Sequence, residues 1–186
     1  MGIFDDASVT VFVADHIATD AAQKITALGA GFLLTGLDPQ TRLSAPQHVA
    51  VLIDVPAKYV GQQFALSLEL RDETIGQTVQ VPTPPTGQLD ALRVQQVVPV
   101  NPPQLGGASL PEGTPIRSQV MLGLPTGVPL VAGHRYAWRV EIDGQHRSGW
   151  KAVFSVLGPT PGPVFGGPAG PAAIPNIAPL PPPTEQ

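Results

Sequence analysis

The chain of 186 residues holds 10 Lys and Arg against 14 Asp and Glu, which gives a formal net charge of −4 at pH 7. It contains no run of basic residues, so we expect no nucleic-acid partner. The lack of cysteine excludes disulfides and thiolate metal sites. No apolar run approaches the roughly 20 residues that span a bilayer, so we expect no membrane partner either.

Alternation of apolar and polar residues predicts strands along most of the first 157 residues. The predicted strands before the last hairpin are 7–15, 24–35, 48–55, 64–71, 76–81, 91–98 and 116–124. Gly29 and Gly31 indicate a bulge or a sharp bend within residues 24–35. The one helical candidate is around residues 20–24.

The last two predicted strands form a hairpin across residues 134–157. Every second residue from 136 to 142 is apolar, Asp143-Gly144 is a favoured two-residue turn, and alternation resumes at Trp150. About eight short strands separated by Pro and Gly clusters predict an all-β fold, an immunoglobulin-like β-sandwich. We assign this domain to residues 1–157.

Residues 158–186 have a different composition. They include ten prolines and five glycines, which exclude a helix or an interior strand, and their single charged side chain is Glu185. Such a segment predicts an extended Pro-rich docking arm with a reach on the order of 90 Å. The apolar side chains between its prolines are the predicted partner-binding residues: Val164, Phe165, Ile174, Ile177 and Leu180.

No arrangement of residues predicts catalysis. The chain has neither cysteine nor a G-x-S-x-G sequence, and the spacing of residues 29–36 fits no phosphate-binding loop. His134 and His146 could face each other across the hairpin and share a metal, although polar positions near strand ends are the favoured interpretation. We therefore expect that the protein is not an enzyme and has neither a metal nor a cofactor.

Several segments resemble an uncharacterised family of small bacterial and phage proteins. They are residues 13–16, Lys24 with Gly29 and Gly31, and residues 52–56, 66–70 and 133–144. The resemblance covers roughly residues 8–157 and implies an immunoglobulin-like sandwich. It brings no known activity, so it implies no catalytic residues. The Pro-rich arm departs from the family pattern.

Together these features predict a structural protein of a bacteriophage virion, a capsid decoration or minor capsid protein. It would be assembled in the host cytoplasm and bind the capsid surface, where the arm cements neighbouring subunits. The expected partner is the major capsid protein or another coat subunit, and a second copy of the chain is also a candidate.

One alternative is a glycan- or cell-surface-binding module of a phage tail that uses Tyr59, Trp150 and residues 82–87. For Trp138 and Trp150, core packing is favoured over a sugar platform. The other alternative is a cytoplasmic accessory protein that binds one soluble partner.

Overall fold

The computed structural model describes residues 2–20, 24–83, 85–102 and 110–158. Strands make up most of this part of the chain. Its helical structure comprises α1 (Ile3–Asp6) and a 3₁₀ turn at Ala57–Tyr59. The all-β prediction is therefore confirmed.

Thirteen strands lie within the described residues, more than the roughly eight predicted, because several are only two to four residues long. They are β1 (Ser8–Ala14), β2 (His16–Thr19), β3 (Ile25–Leu28), β4 (Leu34–Thr35), β5 (Gln47–Val55), β6 (Gln63–Asp72), β7 (Gln77–Thr78), β8 (Gln80–Thr83), β9 (Gln88–Ala91), β10 (Arg93–Pro99), β11 (Ile116–Leu124), β12 (Arg135–Ile142) and β13 (Lys151–Val156).

The smaller sheet has three antiparallel strands in the order β1-β5-β11. Its central strand, β5, is apolar along much of its length because both of its faces are covered. Val49, Val51 and Ile53 belong to the main core, whereas Ala50 packs in a second cluster with Ile17 of the β2–β3 hairpin. The hairpin therefore covers the outer face of this sheet.

The larger sheet has six strands in the order β10-β6-β12-β13-β4, with β7 paired to β6. Alternate residues of β6 and β12 enter the core that this sheet shares with the smaller one. These buried residues are Phe64, Leu66, Leu68, Leu70, Tyr136, Trp138, Val140 and Ile142. The predicted period-two alternation, including core packing of Trp138, is confirmed.

The predicted hairpin is also present. Asp143 and Gly144 both have positive φ (50° and 74°), which suits a two-residue turn, and Ile142 and Gln145 exchange backbone hydrogen bonds of 2.9 Å. Strand β13 begins at Lys151, opposite Arg139. The return side therefore carries an extra loop before its strand resumes.

Two local predictions are wrong. Residues 24–35 do not form one strand, because β3 pairs with β2 whereas β4 pairs in parallel with β13. Gly29 and Gly31, with φ of 62° and 76°, lie where the chain crosses between these pairings. Residues 20 and 24 are not helical, since the Asp20 N–H donates to the Lys24 carbonyl and closes the β2–β3 hairpin.

Candidate docking surfaces

The five predicted partner-binding residues lie outside the described residues: Val164, Phe165, Ile174, Ile177 and Leu180. The structure does describe where the arm begins. Strand β13 ends at Val156, and the Leu157 N–H donates to the Thr35 carbonyl of β4 at 2.8 Å. The arm therefore leaves the domain at the β4 side of the larger sheet.

Exposed apolar side chains surround this exit. Leu33 is 72% exposed, and Leu34 and Leu157 are also exposed. We call these three residues with strand β4 the β4 edge. Single exposed leucines are common on protein surfaces, but a group of them at a strand edge indicates a contact surface.

Strand β10 forms the opposite end of the same sheet. The Leu70 N–H donates to the Leu92 carbonyl, and the Val100 N–H donates to the Gln62 carbonyl. The N–H and C=O groups of successive residues point to opposite sides of a strand. In this segment the backbone groups of the even-numbered residues therefore point toward β6. The N–H and C=O groups of Arg93, Gln95 and Val97 consequently face outward, and we call this side the β10 edge.

A groove of about 350 Å³ lies beside the β10 edge on the larger sheet. Its lining residues are Ala65, Leu66, Ser67, Gln95, Gln96, Val97, Glu141 and Gly144. The side chains from β6 are small at Ala65 and Ser67, which leaves space next to the exposed side chain of Val97. Ser67 is buried, and its Oγ has no hydrogen-bond partner among the described residues. We call this feature the β10 groove.

A charge cluster lies further along the β10 edge. The Glu69 side chain is buried on β6 and pairs with Arg93, whose Nε lies 3.2 Å from Glu69 Oε2. Arg71 Nη1 lies 4.0 Å from the other carboxylate oxygen, and Thr78 Oγ1 lies 3.4 Å from Oε2. The hydrogen bond to Glu69 raises the pKa of Arg93. The ion pair therefore holds this guanidinium at the edge.

The β8–β9 hairpin extends this end of the sheet. All four residues of β9 are exposed, including Leu89, and Val81 is the one half-buried residue of β8. Thr83 Oγ1 donates to Asp90 Oδ2 across the hairpin at 2.7 Å. An isolated two-stranded hairpin is only marginally stable in water, so a partner that packs on it would add to its stability.

A buried acid and a histidine pair at the far end of β6. His134 Nδ1 donates to Asp72 Oδ2 at 2.7 Å, and the Thr74 N–H donates to Asp72 Oδ1 at 2.9 Å. Burial raises the pKa of Asp72, but these hydrogen bonds, with a further one from the Ile75 N–H, outweigh it. The net effect is a pKa below the ordinary carboxyl value. This pair fixes the start of β12 against the end of β6.

The two histidines of the hairpin do not form a shared site. His134 bonds to Asp72, whereas His146 Nδ1 donates to the Val140 carbonyl at 2.8 Å. Within residues 2–20, 24–83, 85–102 and 110–158, no group of three or more His, Cys, Asp or Glu residues could hold a metal ion. The shared-metal alternative is therefore wrong for this pair.

The aromatic rings of the alternative sugar-binding site are buried and do not form an exposed platform. Trp150 is 5% exposed and packs edge-on against Phe4, with ring centroids 5.1 Å apart. Tyr59 is 6% exposed, and its Oη lies 2.8 Å from Asp6 Oδ2. Arg147 lies over the Phe4 and Trp150 rings. These aromatic residues hold α1 against the domain and leave no free ring face for a sugar.

No helix in the described part of the chain is long and apolar enough to cross a membrane. A scan against models of protein families gives no match to the sequence, and a search of curated proteins gives none either. The features from which a function can be inferred are therefore the two sheet edges, the groove and the composition of the arm.

Proposed function

We propose that the chain is a non-enzymatic structural protein of a bacteriophage particle, a capsid decoration protein. Its domain binds the surface of the capsid, and residues 158–186 cement neighbouring subunits. The observation that supports this proposal is the pair of edges at opposite ends of the larger sheet. Each edge carries exposed apolar side chains, Leu33 at one end and Val97 at the other. A domain with contact surfaces at both ends suits side-by-side packing in a layer.

We further infer that the two sheets form an immunoglobulin-like sandwich. They share one apolar core, and side chains of both central strands, β5 and β12, are buried in it. The resemblance of residues 8–157 to the phage and bacterial family points the same way. A rigid sandwich of this kind serves as a platform from which an arm can extend.

The arm would bind through apolar burial between prolines. Burying apolar surface contributes about 25 cal/mol per Å². Proline reduces the entropy lost on docking, because its φ is already restricted in the free chain. Phe165 and Ile177 are the anchors that we would test first. The partner is the major capsid protein or another coat subunit, and the complex is assembled in the host cytoplasm.

The test measures incorporation into particles. Full-length chain and the Phe165→Ser/Ile177→Ser double variant would be produced during infection by the phage that carries the gene. Particles would be purified by density gradient, and chain copies per particle counted by quantitative mass spectrometry. Ile75→Ser is the matched control, because Ile75 is an exposed apolar residue in the β6–β7 turn, outside the arm.

We expect wild type and Ile75→Ser to purify with particles in similar amounts. The number of copies of the double variant per particle should be at least tenfold lower. Absence of the wild-type chain from particles would refute the virion assignment. Its recovery in a two-protein soluble complex would favour the accessory-protein alternative. Equal occupancy of all three chains would refute the role of the arm.

A further inference from the structure

We propose that residues 172–180 of one copy add as a strand to the β10 edge of the next copy. This inference rests on the proposed docking role of the arm and names the surface that receives it. The protein would then link head to tail, with an arm leaving at the β4 edge of one copy and entering at the β10 edge of its neighbour.

The prolines of the arm suit this pairing. Pro171, Pro175 and Pro179 all occupy odd-numbered positions. Backbone N–H groups alternate between the two sides of a strand, and proline is tolerated in an edge strand where its missing N–H would face solvent. The even-numbered residues 172–180 all retain their N–H groups on the other side. One side of this segment can therefore form an uninterrupted ladder, in either strand direction.

The β10 edge offers the complementary groups. Arg93, Gln95 and Val97 direct their backbone N–H and C=O groups away from β6. A strand added here would place its side chains beside Val97, which is 60% exposed, and next to the β10 groove. The arm segment is uncharged, so apolar side chains can enter the groove without loss of charge solvation.

The buried Oγ of Ser67 offers a hydrogen-bonding group in the groove. It lies in the lining of the groove without a hydrogen-bond partner, a state that costs free energy for a buried polar group. Asn176 is the single residue of 172–180 whose side chain can form hydrogen bonds. Antiparallel addition to β10 would place the Asn176 side chain on the same face of the sheet as Gln95 and Ser67.

The positions of the two edges favour a second copy over the chain's own arm. Strands β6, β12 and β13 lie between β10 and β4. At about 4.8 Å between strands, an arm that returned to its own β10 edge would cross about 20 Å of sheet. Its length allows this, but the crossing leaves the exposed leucines of the β4 edge uncovered. Head-to-tail packing buries them against the neighbour, and such heterologous contacts generate rings or open arrays.

The test compares two introduced prolines at positions of opposite parity. In the full-length chain, Ala178→Pro removes an N–H that faces β10, whereas Ala173→Pro adds a proline on the solvent side. A third variant, Val97→Lys, places a charge on the receiving edge, as natural edge strands do to prevent pairing. Association would be followed by sedimentation across protein concentration, and exchange of the Gln95 and Val97 amides by mass spectrometry.

We expect wild type and Ala173→Pro to associate equally, within about twofold. Ala178→Pro and Val97→Lys should each weaken association by about tenfold or more. The Gln95 and Val97 amides should gain protection only in the associated state. Protection that is independent of concentration would show that the chain's own arm docks, and equal behaviour of the two proline variants would exclude strand addition.

These results separate the inference from the proposed function. If particles contain the chain but the purified protein shows no parity-dependent association, the arm binds a coat protein and the inference fails alone. If the parity effect is present but the chain is absent from particles, the inference stands and the virion assignment fails.

Discussion

The charge cluster at Glu69 yields an asymmetric prediction, because its two partners differ in exposure. The Glu69 side chain is 3% exposed, whereas the Arg93 side chain is 39% exposed. Changing Arg93 to Gln leaves a buried carboxylate without its main partner. Changing Glu69 to Gln instead leaves a guanidinium that water can reach. We therefore expect Arg93→Gln to be the more destabilising substitution.

The expected loss in the free energy of unfolding for each variant follows from the burial of the charge that it leaves unpaired. Breaking a buried ion pair costs about 3–5 kcal/mol when it leaves an uncompensated buried charge. Arg71 Nη1, 4.0 Å from Glu69, and the Thr78 hydroxyl remain after Arg93→Gln, so we expect the low end, about 3 kcal/mol. For Glu69→Gln, the freed guanidinium is well solvated and screened, so we expect about 1 kcal/mol. In the double variant no buried charge is left unpaired, so we expect about 1–2 kcal/mol.

Urea unfolding at pH 7, followed by tryptophan fluorescence, would measure these differences. Both tryptophans, Trp138 and Trp150, are buried and report loss of the core. The double-variant cycle isolates the coupling between the two side chains. A larger cost for Glu69→Gln than for Arg93→Gln would refute the reasoning. The reasoning would also be refuted if the double variant lost as much free energy of unfolding as the two single variants together.

Three further predictions concern the stability of the domain. Asp72→Asn should lose about 1.5–3 kcal/mol at pH 7, as expected for a charged hydrogen bond. The pKa of Asp72 is lowered in the folded state, so the wild-type advantage is complete above the ordinary value of 3.8. It is lost as the pH falls through the folded pKa, and urea unfolding at pH 7 and pH 3 would show the difference narrowing. Gly127→Ala should cost about 3 kcal/mol or more and Gly113→Ala about 1–2 kcal/mol by thermal unfolding. Both glycines have positive φ, but a Cβ at position 127 would lie 1.9 Å from a backbone oxygen, whereas position 113 is open. Arg147→Ala should cost about 1–2 kcal/mol by removing a cation over two aromatic rings, and should speed amide exchange in α1 while the sheet amides stay protected.

Local patterns made much of the larger sheet predictable. The hairpin across 134–157 depends on residues close in sequence, and its alternation and Asp143-Gly144 turn predict it directly. Strand β4 could not be predicted, because it has two residues and pairs in parallel with β13, more than a hundred residues later. The end position of β10 is likewise a property of strand order, which alternation does not encode. Burial of Glu69 depends on Arg93, 24 positions away, whereas its alternating position in β6 alone predicts exposure to solvent.

The contact between the arm of one copy and the β10 edge of another makes a prediction that a symmetric dimer through two like edges does not share. A chain with Val97→Lys has an intact arm and a blocked receiving edge, whereas a chain with Ala178→Pro has the reverse. Each variant alone should sediment as a monomer. An equal mixture should form a two-chain complex, because the arm of the first enters the edge of the second and neither remaining end can continue. Since the two defects complement each other through an arm-to-edge contact and not through a contact between like edges, a mixture that stays monomeric would refute docking of the arm on the β10 edge of another copy. A mixture that grows beyond two chains would show a second contact between copies.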